Sequence, residues 1–365
     1  MPVSSLSASA PRRDDARALA LITRDGRTAT AFRALGPGLE HWFLTDGQGD
    51  RGLVAYQRVR GALVAAGEPV AAPHDVAAVA EAFVHFATAQ QCRASFFATG
   101  HELAASPAFR GVMLGEQPVW DPRHWAADRA RHRSLREQLR RARAKGVSVQ
   151  ALDAHTMGEP ASRAAVAQLI ARWLAARPMA RMRFLVEVDP YAAVSQRRTF
   201  VATRNGVLVA LLSLAPVPAR HGWLFEHLLR DPEAPNGSAE LLVDHAMETL
   251  AAEGVPWVTL GLAPLAGPVQ GWLRTVRRWS RPLFNFDGLA AFKRKLRPQR
   301  WEPIYLTVPI GQSGAGAMLD GLRAFAGGPL WRFGARTLRR NRGRGETVGA
   351  PMAHGRWPMA DGREP

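Results

Sequence analysis

Residues 198–265 place the tightest constraint on what this chain can fold into. Three apolar runs, 198–203, 207–214 and 222–228, follow one another. Asn205-Gly206 lies between the first two, a dipeptide that closes two-residue hairpins because both positions tolerate positive φ. After Arg230 comes a turn built from Pro232, Pro235, Asn236 and Gly237. A helix is expected next. Leu241, Leu242, His245, Met247 and Leu250 recur at helical spacing, Ser238 or Asn236 is placed to cap it, and Glu240 falls in its first turn. Gly254 ends it, residues 255–260 form a compact β-rich run, and residues 261–265 leave that run as a tight loop. Hairpin strands, a crossover helix and a further strand require a mixed sheet. In open α/β sheets, ligands bind beyond the strand ends.

The first half of the chain carries the same order. A short helix over 14–24 precedes strands at 41–44, 52–59 and 62–66, with Gly61 at a hairpin. An amphipathic helix over 75–90 bears Val76, Val79, Phe83 and Phe86, and strands follow at 94–98 and from 115 to 120. The second half opens with a strand at 147–152 and a helix over 160–175, whose apolar side is Val166, Leu169, Ile170, Trp173 and Leu174. Between the halves, Arg129, Arg133, Arg136, Arg140 and Arg143 recur at steps of four and three. Leu135, Leu139 and Ala142 share an adjacent face, and Gly146 is a natural stop. This basic helix reads either as a phosphate-contacting ridge that binds RNA, or as the solvated face of a linker.

Charge narrows the partners. The 365 residues carry a net charge of +17 and a pI near 11.4, which implies an anionic partner: nucleic acid, an anionic membrane surface, or both. A genome-wide bias toward arginine is the bland alternative. The lone Cys92 excludes an internal disulfide, fits a reducing compartment and has no partners for a metal site, so no metal is expected. Residues 1–10 lack the pattern of a signal peptide, and the longest apolar stretch, 207–218, falls short of the roughly 20 residues a spanning helix needs. The expectation is a cytoplasmic protein, peripheral at the inner face of the cell membrane.

A β-meander followed by helix and strand is the order of the GNAT acyltransferase fold, and its double appearance resembles a tandem-GNAT chain. The expected class is α/β (α+β): two tandem GNAT-like domains, each a mixed, mostly antiparallel sheet flanked by helices, joined by a basic helix. The expected divisions are a disordered N-terminus (1–13), a first domain (14–122), the linker helix (123–146), a second, catalytic domain (147–309) and a basic tail (310–365).

The chain also resembles the soluble catalytic region of lysylphosphatidylglycerol synthases, over roughly 14–309. The marks, in order, are Ala66-Gly67-Glu68-Pro69, Gly115-Glu116, Leu135-Arg136 through Arg140-Arg141 with Gly146, Leu229-Arg230, and Pro235-Asn236-Gly237. Then come Leu260-Gly261-Leu262-Ala263-Pro264-Leu265 and Gly288-Leu289 through Phe292-Lys293, with Lys295, Pro298, Trp301 and Tyr305. The resemblance implies transfer of an aminoacyl group from a charged tRNA to a lipid hydroxyl, with chemistry in the second domain. The implied partners are aminoacyl-tRNA and an anionic phospholipid surface, with no DNA. A soluble amine or peptide acceptor is the alternative within the same fold, and a non-catalytic RNA- or membrane-binding relic is the alternative outside it.

Transfer from an activated ester calls for fixed donors or a cation at the developing oxyanion, a group that accepts the hydroxyl proton, and positive charge near the RNA end. Arg230 ends a central strand and can hold a phosphate or the oxyanion. Lys293 matches a lysine of the family and can hold the terminal phosphate or aid the leaving ribose oxygen. Glu226 and Asp287 can bind the ammonium of the amino acid, and even spacing puts Glu226 and Arg230 on one strand face with His227 opposite. Asn236, Gly237, Gly261, Leu262, Ala263, Pro264, Lys295 and Tyr305 complete the expected substrate site. Against these stand plainer readings. Arg230 pairs with Asp231 or Glu233, residues 293–297 are a solvated helix end, residues 261–265 are only a turn, and His227 and His245 are ordinary, partly buried histidines. No Gln/Arg-x-x-Gly-x-Gly/Ala pattern opens the helix after Gly237, so acetyl-CoA is not the expected donor. In the C-terminal stretch Met318, Leu319, Leu322, Phe325, Leu330, Trp331 and Phe333 are interleaved with or followed by Arg323, Arg332, Arg336, Arg339, Arg340, Arg342 and Arg344, as in a segment that lies on anionic lipid.

Overall fold

The computed structural model describes residues 14–177, 180–265, 267 and 286–343; the expected disorder of 1–13 lies outside them. Helix α1 (Asp15–Asp25) turns Ala18, Leu21 and Ile22 inward, and a 3-10 turn (Ala31–Leu35) follows. Strands β1 (Glu40–Asp46), β2 (Gly49–Val59) and β3 (Ala62–Ala66) form the expected meander, with β4 (Val70–Ala71) folded back on β2. Helix α2 (Val76–Ala89) crosses over to β5 (Arg93–Thr99), which runs parallel to β3. Phe83 of α2 packs against Tyr56 and Phe96 on the sheet, and such burial contributes roughly 1.5–3 kcal/mol per side chain. Helix α3 (His101–Ala104) leads into β6 (Phe109–Trp120), which starts well before Gly115.

The basic stretch is not one helix. It is divided into α4 (Trp125–Arg131) and α5 (Arg133–Ala144) by His132, whose φ of −111° and ψ of 90° leave the helical region. Then come β7 (Val147–Leu152), α6 (Ala154–Gly158), α7 (Pro160–Ala175), β8 (Arg198–Arg204), β9 (Val207–Val217) and β10 (Gly222–Arg230). Helix α8 (Ser238–Ala252) crosses to β11 (Trp257–Thr259), parallel to β10, and β12 (Ala263–Pro264) pairs with β6. At that pairing a Cβ on Gly115 would stand 2.3 Å from the Ala263 carbonyl oxygen, so only glycine fits. Helix α9 (Phe286–Lys295), β13 (Arg300–Pro309), α10 (Gly314–Ala326) and α11 (Leu330–Gly343) end the described chain.

The architecture is mixed α/β and GNAT-like, with one large, mostly antiparallel sheet flanked by helices. Its strand order is β1-β2-β3-β5-β13-β6-β11-β10-β9-β8-β7. The sheet does not divide at the expected boundary. Strand β13, read from sequence as part of the second unit, lies between β5 and β6 of the first, and β6 bridges to β11. Buried Leu306 and Val308 hold β13 in that place. Residues 314–326 are likewise not tail: Ala317, Met318 and Ala324 enter the core.

Candidate functional site

Strand β10 positions the site. It pairs with β11 only over 222–224, and beyond that the two strands part. On its other side, Phe225 opposes Leu214 and His227 opposes Ser213, so Glu226 is an extra, bulged residue. A bulge breaks the two-residue alternation of side chains. The expected common face of Glu226 and Arg230 is therefore corrected: the two side chains diverge.

Glu226 turns into a buried cluster. Arg33 Nε lies 2.8 Å from Oε1, Arg197 Nη1 bonds Oε2, and His227 Nε2 is 3.6 Å away. Both guanidinium groups are fixed further, Arg33 by the Glu187 carbonyl and Arg197 by the Ala192 carbonyl. Burial alone would raise the Glu226 pKa, but Arg33 and Arg197 outweigh it and hold the carboxyl below the usual carboxylate range. The same burial pushes His227 down to about 3, so it is neutral. The Glu226 carboxylate is only 3% exposed and is charge-paired by two arginines; Oε2 accepts from Arg197, while Oε1 lies beside Arg33 Nε without a well-aligned hydrogen bond. Arg33 and Arg197 were missed from sequence because nothing local links positions so far apart.

Arg230 stands on the other side, at the strand end. Its Nη2 donates to the Ala234 carbonyl (2.6 Å) and to Asn236 Oδ1 (3.3 Å), while Nε is buried with no hydrogen-bond partner among the described residues. Pairing with Asp231 does not occur; that carboxylate is held by Arg172. Neither Asn236 nor Ser238 caps α8. Gly237, with φ +96°, occupies the cap position, and Ser238 Oγ donates to the Pro235 carbonyl. A Cβ on Gly237 would stand 2.5 Å from the Gln138 carbonyl oxygen, so α5 packs directly on the start of α8. Lys295 Nζ pairs with Glu240 of that first turn at 2.7 Å.

Lys293 is not a free phosphate ligand here. Its Nζ donates to the carbonyls of Leu260, Gly261 and Leu262 at 2.8, 2.7 and 2.8 Å, tying α9 to the loop that leaves β11. Burial pulls its pKa down to about 7, while three carbonyl acceptors favour the ammonium form. The loop is braced again by Gly261 N–H donating to Thr259 Oγ1. Ala263 and Pro264 are committed to β12. Tyr305 is not brought near Arg230. It lies on β13, with β6 and β11 between, and packs against His101. The side chain of Asp287 and most of the connection over 266–285 lie outside the described residues.

The expected arginine ridge is only partly available. Asp244, fully buried on α8, receives Trp125 Nε1 at 3.0 Å, Arg129 at 2.9 Å and Arg143 at 3.2 Å. Arg136 bonds the Ala130 carbonyl and Arg140 pairs with Glu137. Arg133, Arg136, Arg140 and Arg143 remain exposed on α5. A polar cluster that sequence reading missed joins Gln117 to Glu302 across the β6–β13 pair and Glu302 to Arg220 in the turn before β10. Among the described residues no group of three or more His, Cys, Asp or Glu is arranged to hold a metal ion, and no helix is long and apolar enough to cross a membrane.

Comparisons with known proteins bear on this arrangement. The family described as phosphatidylglycerol lysyltransferase, C-terminal, matches residues 19–308. No curated protein matches the chain. The crystal structure of the C-terminal domain of a putative lysylphosphatidylglycerol synthetase from Agrobacterium fabrum is similar at 24% identity. It covers 88% of this chain and 99% of its own, with a TM-score of 0.72. The structure of L-PGS from Bacillus licheniformis is similar at 20% identity over 86% of this chain and 97% of its own, with a TM-score of 0.70. The crystal structure of FemX shares the fold at 9% identity over 81% and 94%, with a TM-score of 0.52.

Proposed function

Because the chain belongs to the phosphatidylglycerol lysyltransferase C-terminal family, a family of transferases, we propose that it moves an aminoacyl group from a charged tRNA to a hydroxyl of phosphatidylglycerol or a related membrane lipid. In this reaction the lipid hydroxyl oxygen attacks the ester carbonyl carbon. The bond from that carbon to the ribose oxygen breaks, and the hydroxyl proton passes, in net, to the ribose oxygen. Negative charge gathers on the acyl oxygen between these events, and a preorganised cation there is the largest help a protein can give.

Arg230 is the group placed to supply it. Its guanidinium is fixed by Ala234 and Asn236 where β10 parts from β11, with Nε still free to donate. That is the observation that carries the reading. Two others support the donor. Gln138 of α5 occupies the space over the start of α8, which argues against a coenzyme pyrophosphate in that place. The same helix exposes Arg133, Arg136 and Arg140, a surface suited to an RNA backbone. Lys293 acts as a positioning residue through the loop 260–262.

The test is to incubate the protein with a set of aminoacyl-tRNAs and phosphatidylglycerol liposomes and to look for amino-acid-bearing lipid. Transfer from at least one tRNA is expected, and Arg230→Ala should lower its rate about 10²–10³-fold. No product with any aminoacyl-tRNA overturns the proposal.

A further inference from the structure

The five large apolar side chains left most exposed among the described residues are Val186, Ile310, Leu319, Leu322 and Trp331. All lie on or beside the helix pair α10–α11. Ile310 follows β13 in the turn that leads to α10, at 63% exposure, and Trp331 lies in the first turn of α11 at 70%. Val186 sits in a turn tied to α10 by the Arg183 N–H, which donates to the Phe325 carbonyl at 2.9 Å. Single exposed apolar residues are ordinary on a protein surface, but their concentration at one place is not.

The fold holds this face outward. Ala317, Met318 and Ala324 anchor α10 in the core, so Leu319 and Leu322, one turn apart, face solvent together. Helix α11 is fixed to α10 by Arg336, which donates to the Ala326 carbonyl, and to the preceding segment by the Ala180 N–H on Thr337 Oγ1. The charge along the helix pair is predominantly positive, and Glu187, beside Val186, is paired with Arg181 at 3.3 Å. Residues 310–343 contain six arginines and a single acid, Asp320, which is buried between Arg93 and Arg323. Arg332, stacked on Trp331 at 5.1 Å, and Arg336 and Arg339 are exposed.

We infer that the Leu319–Leu322–Trp331 face docks on an anionic phospholipid bilayer, with Arg332, Arg336 and Arg339 meeting the headgroups. An indole is suited to the boundary between headgroups and acyl chains, and arginine can lay its stem along apolar surface while its charge stays at the phosphate level. A protein groove would accept the apolar residues equally well, but it gives no reason for the three exposed arginines that flank Trp331 along α11. The inference rests on the proposed lipid acceptor only in placing that acceptor in such a bilayer.

The experiment is co-flotation with vesicles of mixed phosphatidylcholine and phosphatidylglycerol, and with phosphatidylcholine alone. The wild-type chain should float with the anionic vesicles and not with the neutral ones. The Arg332→Gln/Arg339→Gln variant should bind about 25-fold more weakly, at roughly fivefold per basic side chain. The Leu319→Ser/Leu322→Ser/Trp331→Ser variant should lose flotation with an unchanged thermal melt. Transfer to detergent-dispersed phosphatidylglycerol, measured in parallel, should be the same for all three proteins. If flotation responds as described but no protein makes aminoacyl lipid, docking stands and the proposed reaction fails. A wild-type chain that does not float, or a triple-serine variant that floats equally well, overturns docking. So does a triple-serine variant whose only change is in self-association by sedimentation velocity.

Discussion

Glu226→Gln separates two roles that a buried carboxylate can play. In the structure Glu226 is the shared counter-ion of Arg33, from the N-terminal half, and Arg197, from the C-terminal half. The substitution keeps the shape and one acceptor but leaves two buried guanidinium groups without a charge partner. Breaking a buried ion pair in this way costs about 3–5 kcal/mol, a large share of a typical folding free energy. The pH dependence follows from linkage. The carboxyl is held below its ordinary value of 4.5, so its contribution is complete above that unfolded value and fades as pH falls below it toward the folded one. Wild type and variant should therefore differ most near neutral pH and converge in acid. Urea unfolding followed by tryptophan fluorescence reads the stability, and aminoacyl-lipid formation below the unfolding transition reads the chemistry. The expected outcome is a midpoint shifted to lower urea with transfer reduced no more than the folded fraction requires. An unshifted midpoint with transfer lost about 10²-fold would refute this account and return Glu226 to the substrate.

Lys293→Met removes the donor that gathers the carbonyls of Leu260, Gly261 and Leu262, and should slow transfer about 10²-fold by letting that loop move, with faster proteolysis in the loop as an independent readout. The folded lysine has a pKa of about 7 against 10.5 when unfolded, so the unfolded chain binds more protons between those values. Wild-type stability should rise across that window by at most about 1.4 kcal/mol per pH unit, and the methionine variant should lack this slope in urea titrations at stepped pH. Asp244→Ala strips the shared acceptor from Trp125, Arg129 and Arg143, and calorimetry should show a loss of about 3 kcal/mol. Gly237→Ala forces a side chain into φ +96° and against the Gln138 carbonyl; a lower melting temperature, equivalent to about 1–3 kcal/mol, is expected.

Much of the secondary structure was legible because it follows local rules. Asn205-Gly206 closes the β8–β9 hairpin, and the three- and four-residue spacing of Val76, Val79 and Phe83 gives α2 its buried side. What was not legible depends on partners distant in sequence. The bulge at Glu226 is a fact about register with β9, and counting residues along one strand cannot reveal it. The helix break at His132 carries no proline or glycine to announce it. Lys293 stood out through the family resemblance, but only the fold shows that it is buried beneath three carbonyls while its neighbour Arg294 stays in water. Arg230 was readable as the end of a strand followed by a turn, but its anchoring by Asn236 was not, since that residue reads equally well as a cap.

The place of β13 decides the order in which this molecule can be completed. Until Arg300–Pro309 emerges from the ribosome, β5 and β6 each present a row of unpaired backbone groups where a neighbour is missing. The first half, though synthesised early, waits for nearly the whole chain before its sheet closes, and this long-range closure makes for slow folding. A nascent chain of this kind gains from anything that shields those open edges during synthesis, and a prematurely ended one is left with an adhesive gap at its centre.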